Sequence, residues 1–194
     1  MPINVTWKYV GMDFEFGSPT IGQPKEMQGT WRGHGYFFRL WVGNRGHYAE
    51  RVQVYVESID MFSDDGLRQE PLADFIPMNL RWTDSPGDSP LIFEAINPKM
   101  GRYCDFGGVC QPGNPMEIAR DGMKKGDSTF NLHTQVSPST GCNRLRPGKY
   151  RIHLLLAASN SRPKHYTVSL EWSGSYSNDE KQMFDNEAKL YLTD

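Results

Sequence analysis

The residues of this chain best suited to hold a metal are Cys104, Cys110, Cys142 and His133. Thiolate and imidazole are the ligands zinc favours, and structural zinc sites space their paired cysteines with two to four residues between them. Cys104 and Cys110 have five residues between them, and no closer pair exists. A disulfide between these two is the other chemical use of the pair. A small thiol also packs well inside a strand, and free cysteine is commonly buried. The expectation is therefore inert thiols and no cofactor. A metal-binding or enzymatic domain built on Cys104, Cys110, Cys142 and His133 is the alternative.

The remaining histidines are His34, His47, His153 and His165. His34 and His47 stand beside glycines and read as turn residues. His133 and His153 fall on the alternate faces of their strands, opposite their apolar neighbours. No H-E-x-x-H or H-x-H pair occurs. Two Gly-Asp-Ser triplets (87–89 and 126–128) and Ser161-Arg-Pro-Lys164 imitate nucleophile motifs. Those chemistries hold the serine on a strained turn or a helix start beside a base. Here the triplets sit in Pro/Gly-rich loops, so the chain is not read as an enzyme. The acidic runs at 64–66 and 84–88 lack the ligand spacing of an EF-hand.

Aromatic residues offer a different chemistry. Phe37 and Trp41 alternate with Tyr36, Phe38 and Leu40, and Tyr55 alternates with Val54 and Val56. Phe37, Trp41 and Tyr55 are the candidate binding residues. They would form an aromatic outer face on one sheet, able to stack a sugar or anchor a protein. The competing reading is that the N-terminal segment (Trp7, Tyr9, Trp31) or the last helix covers that face. The basic group Arg144, Arg146, Lys149 and Arg151 reads as charge guarding a strand edge.

The elements that must carry these residues are mostly strands. A first strand is expected over 3–10 and a loop over 17–35. Residues 36–42 and 52–56 alternate with a period of two. Gly43-Asn44-Arg45-Gly46 between them is turn chemistry, so the two are expected to pair as a hairpin. Residues 60–74 read as loop. Further strands are expected over 76–82, 91–96, 102–109, 130–134, 150–156 and 166–172, with breakers at 84–90 and 111–128. Ser177 and Glu180 fit a capping box, which predicts one helix over about 178–188. Strands without βαβ alternation call for two antiparallel sheets packed face to face.

Composition sets the limits. At 194 residues the chain can bury roughly 70% of its unfolded surface without a disulfide or metal. The net charge of −2 provides no basic field for nucleic acid. No apolar run reaches the roughly 18 residues of a membrane helix, so no membrane insertion is expected. The odd count of three cysteines favours a reducing compartment, the cytoplasm. A soluble domain of a surface-anchored protein is the alternative. Asn4-Val-Thr6 fits the glycosylation triplet, which matters only on secretion.

The run Val42-Gly-Asn-Arg-Gly46 with Ala49-Glu-Arg-Val-Gln-Val54 resembles the pattern of bacterial CARDB-like immunoglobulin-fold domains. Leu145-Arg-Pro-Gly-Lys-Tyr-Arg-Ile152 is similar to the entry into late strands of many immunoglobulin-like modules. The chain departs from that family in its long loops and its terminal helix. It also lacks the Cys…Trp…Cys spacing of antibody-type domains. The resemblance implies a non-catalytic module. The expectation is an all-β, immunoglobulin-like antiparallel β-sandwich spanning 1–194 as one domain, with long loops and one short C-terminal helix. Its expected role is that of a protein-interaction module of a bacterial protein, or alternatively a carbohydrate-binding module using the same aromatics.

Overall fold

Alternation of apolar and polar side chains becomes alternation of buried and exposed ones. In 36–42 the even-numbered residues are buried and the odd-numbered ones half-buried, as two-residue periodicity in a half-covered strand requires. The computed structural model describes residues 3–16, 31–63, 66–83, 94–110 and 127–193. In chain order the strands are β1 (Ile3–Phe16), β2 (Trp31–Asn44), β3 (Ala49–Phe62), β4 (Gln69–Pro71), β5 (Met78–Asn79), β6 (Arg81–Trp82) and β7 (Glu94–Ile96). There follow β8 (Gly101–Cys110), β9 (Phe130–Leu132), β10 (Arg144–Leu145), β11 (Gly148–Ala158), β12 (Ser161–Trp172) and β13 (Ala188–Thr193).

The strands build two antiparallel sheets. One runs β1-β2-β8-β9-β10, with β6 also on β8. The other runs β13-β12-β11-β3-β4, with β5 and β7 also on β3. Their inner faces share one core, in which Leu40, Phe106 and Phe130 of the first sheet pack with Val56, Ile152 and Leu170 of the second. The protein is an all-β sandwich of two antiparallel sheets, as its alternation predicts.

The expected hairpin between β2 and β3 does not form. β2 pairs with β1 and β8, whereas β3 pairs with β11, β4, β5 and β7. The physical reason is Asn44. Its buried amide donates to Ile96 O at 2.8 Å and His47 O at 2.6 Å, and its Oδ1 accepts from Gly46 N–H at 2.9 Å. These bonds turn the chain out of the first sheet and into the second. Residues 31–35, expected in a loop, extend β2 and pair with β1, which itself runs on to Phe16. His34 is thus a strand residue. The expected loop over 60–74 contains the end of β3 and the strand β4 paired to it. The expected strand over 76–82 divides into β5 and β6, which pair with different sheets.

The C-terminal helix is shorter than expected. It has one α turn, α1 (Glu180–Gln182), continued by a π-turn, Met183–Glu187. Its cap is Asp179, not Ser177. The Asp179 carboxylate accepts from Gln182 N–H at 2.7 Å, while Ser177 Oγ accepts from Asp179 N–H at 3.1 Å. Ala188 onward becomes β13, because alternating Leu190 and Leu192 can complete the core beside β12. The strand expected over 91–96 is described only as β7. Asp64 and Asp65 of the 64–66 motif, the triplet at 87–89, the breaker at 84–90 and nearly all of the loop over 111–128 lie outside the described residues.

Candidate functional site

The outward side of the first sheet gathers a row of aromatic and charged residues. On β2 the alternation presents Phe37, Arg39 and Trp41, all half-buried, while Tyr36, Phe38 and Leu40 enter the core. On β8 the corresponding residues are Tyr103 and Asp105. The register sets Trp41 opposite Tyr103 and Arg39 opposite Asp105. A bulge follows at Phe106, so that Arg39 pairs with Asp105 and Phe38 with Gly107.

Three contacts follow from this register. Trp41 and Tyr103 meet edge to face, with ring centroids 4.7 Å apart. Gly101 makes room for this pair, since a Cβ there would lie 2.5 Å from Cζ2 of Trp41. Arg39 Nε donates to Asp105 Oδ1 at 2.9 Å, and Thr83 Oγ1 donates to the same oxygen at 2.7 Å. With side chains only 21% and 17% exposed, the Arg39–Asp105 pair is less screened than a surface ion pair. Phe37 meets His133, with ring centroids 5.4 Å apart. Gly108 lies beneath this imidazole, and a Cβ there would approach His133 Nε2 to 3.3 Å and Tyr36 O to 2.9 Å.

His133 is held neutral. Burial lowers its pKa to about 4; Asp105 opposes that shift, and the charges of Arg81 and Arg39 add to it. A neutral imidazole beside Phe37 extends the apolar part of the face.

Tyr55 lies elsewhere. It belongs to β3, so it stands on the outward side of the second sheet. There its hydroxyl bonds Gln53, whose Oε1 also accepts from Asn79 Nδ2 at 2.9 Å. Of the three candidate binding residues, Phe37 and Trp41 share a face and Tyr55 does not. The last helix covers neither: Phe184 packs on Tyr36 and Phe38, at centroid distances of 5.3 and 5.4 Å, on the inward side of β2. The tyrosine hydroxyl there titrates above its usual range, through burial first and then the charges of Glu180 and Asp179.

The cysteines do not converge with His133. Cys104 is fully buried in the core, donating to Arg81 O at 3.4 Å, and burial drives its pKa well up. Cys142 is buried and Cys110 half-buried; all three are free thiols. Because His133 faces outward, the sheet itself separates it from Cys104. Among the described residues, no group of three or more His, Cys, Asp or Glu could hold a metal ion.

The outward side of the second sheet holds a polar chain. His153 Nε2 lies 3.0 Å from Asp60 Oδ2, and its Nδ1 lies 3.5 Å from Thr167 Oγ1. Gln69 Nε2 donates to the same Asp60 oxygen at 2.5 Å, and Gln69 Oε1 accepts from Arg151 at 2.9 Å. This is an Asp-His-Thr sequence of contacts, but β3, β11 and β12 all have partners on both sides. Their backbone N–H groups serve the ladders and are not free to stabilise an oxyanion. The network ties β4 to the sheet.

Sequence reading identified Phe37 and Trp41 but missed Arg39, Tyr103, Asp105 and the placement of His133 beside Phe37. The signal for Tyr103 and Asp105 is alternation with Cys104 and Phe106; their pairing to β2 has no local signature. No described helix is long and apolar enough to cross a membrane. Comparison with protein-family models, curated proteins and solved structures finds no match.

Proposed function

We propose that this chain is a non-catalytic protein-interaction module that docks its partner on the Phe37–Trp41 face of the first sheet. The observation that carries the reading is the row Phe37, Arg39, Trp41 with Tyr103 and His133 beside it. Aromatic side chains and arginine dominate the binding energy of protein interfaces, and they do so from pre-packed positions. Here each ring is already held by a neighbour and Arg39 by Asp105, so little side-chain freedom is lost on docking. The two-sheet architecture and the Val42–Val54 resemblance favour an immunoglobulin-like, CARDB-like module of a bacterial protein, and the odd count of three cysteines favours a cytoplasmic one. No cofactor is part of this reading.

A carbohydrate-binding module is the second reading, resting on the Trp41–Tyr103 pair. Sugars stack on ring faces, and here the rings meet at 60°, so one ring presents its edge to the other. That geometry favours a protein surface over a sugar platform. A metal-binding or enzymatic domain is disfavoured by the separation of Cys104 from His133.

The test is the affinity of Trp41→Ala for its partner. Loss of a hot-spot tryptophan costs about 2 kcal/mol or more, roughly 30-fold in Kd. Unchanged affinity in a folded variant removes the proposal.

A further inference from the structure

Strand β13 forms an edge of the second sheet, paired with β12 and with no other described strand. Two contacts fix its hydrogen-bonding phase. Ser173 N–H donates to Glu187 O at 2.9 Å, so these two occupy a bonded position in line with the ladder. Bonded positions alternate along an antiparallel pair. Lys189, Tyr191 and Thr193 therefore turn their backbone groups toward β12, and Ala188, Leu190 and Leu192 turn theirs away. The Ala188 N–H agrees with this phase, since it donates to Met183 O in the helical turn. The N–H and C=O groups of Leu190 and Leu192 are thus presented at the edge.

The side chains along this edge are apolar or lightly charged. Leu190 and Leu192 are half-buried against the core, and Tyr191 is 57% exposed. A groove of about 320 Å³ lies alongside, lined by Phe184, Asp185, Lys189, Leu190 and Tyr191. An edge of this kind is a template for another strand.

We propose that β13 pairs with β13 of a second copy of this chain, antiparallel about a two-fold axis at Tyr191, joining the two seven-stranded sheets into one. Hydrogen bonding and charge make the edge complementary to itself in this register. Centred on Tyr191, Leu190 of each copy meets Leu192 of the other, and all the outward backbone groups of both leucines form reciprocal bonds. Centred on Leu190, the register sets Leu192 against Ala188, whose N–H is already used. Centred on Lys189, it stacks two ammonium groups directly opposite each other, which is destabilising. Of these three registers, the Tyr191 one alone satisfies the edge while setting Lys189 against an uncharged residue, Thr193. It also brings the two exposed tyrosine rings together and shields Leu190 and Leu192. A symmetric two-fold contact of this type is the commonest closed assembly.

Sedimentation equilibrium on the full chain tests this with wild type, Tyr191→Glu, Tyr191→Lys and an equimolar mixture of the two variants. Tyr191 is exposed at an edge, so both variants should keep the wild-type circular dichroism spectrum and Tm. Wild type should dimerise as concentration rises. Each variant alone should associate about tenfold more weakly, through like charges facing across the axis, and the mixture should recover. A Tyr191→Cys variant should also cross-link to itself under oxidation. A wild type that stays monomeric at its highest soluble concentration overturns the proposal. So do variants that dimerise as wild type does, or a mixture no stronger than its components.

Discussion

Trp41 and Tyr55 stand on opposite outer faces of the sandwich, one on β2 of the first sheet and the other on β3 of the second. A partner docked on one face does not reach the other. Tyr55→Ala is therefore expected to leave partner affinity within about 0.5 kcal/mol of wild type, the range of a surface change away from the contact. Titration calorimetry with the same partner, run beside Trp41→Ala, checks this. Equal losses in the two variants would mean that the docked surface is not a sheet face.

Gly101 and Gly107 are positions where added bulk must displace something. A Cβ at Gly101 meets the Trp41 ring at 2.5 Å, and one at Gly107 meets Asn131 O at 2.7 Å and the Phe130 ring at 2.6 Å. Gly107→Ala should cost about 1–3 kcal/mol, because backbone cannot yield cheaply. Gly101→Ala should move the indole and shift the tryptophan emission as well. Urea midpoints and fluorescence spectra of the two variants measure both effects; wild-type values in both would contradict the geometry.

The neutral state of His133 makes stability depend on pH. Its pKa in the fold is about 4, against 6.5 in the open chain. Between those values the unfolded state binds more protons, so stability rises with pH there. The contribution is complete above about pH 6.5 and is lost as pH falls toward 4. His133→Gln should flatten this part of the profile, by about 3 kcal/mol at most. An imidazole titration by NMR with a midpoint near 6.5 would refute it.

Asp105 ties Arg39 and Thr83 together and counters the low pKa of His133. Asp105→Ala leaves a half-buried guanidinium without this carboxylate and should cost about 1–3 kcal/mol. It should also lower the His133 pKa further, since the carboxylate charge raises it. A double-mutant cycle with Arg39→Met should show coupling, because the two residues share the lost interaction. Additive effects and an unmoved histidine titration would contradict the contact.

Alternation made both the all-β architecture and the outward direction of Phe37 and Trp41 legible in the sequence. It could not reveal which strands pair. Gly43-Asn44-Arg45-Gly46 suits a hairpin turn as well as a crossing between sheets, and the choice is made by Asn44 bonding Ile96, 52 residues away. The same blindness joined Tyr55 to Trp41. His133 and Asp105 reach the candidate site through β8 and its neighbours, which no spacing within one strand announces. The C-terminal strand was hidden because residues 188–193 follow the helix directly, without a turn signal.

The measurement that bears most directly on the proposed function is capture of partners from the source cell's lysate on immobilised wild type, Trp41→Ala and Tyr55→Ala, read by quantitative mass spectrometry. All three proteins should share one circular dichroism spectrum. The account predicts a partner held by wild type and Tyr55→Ala and lost from Trp41→Ala. A partner held equally by all three would show that the Phe37–Trp41 face does not bind it.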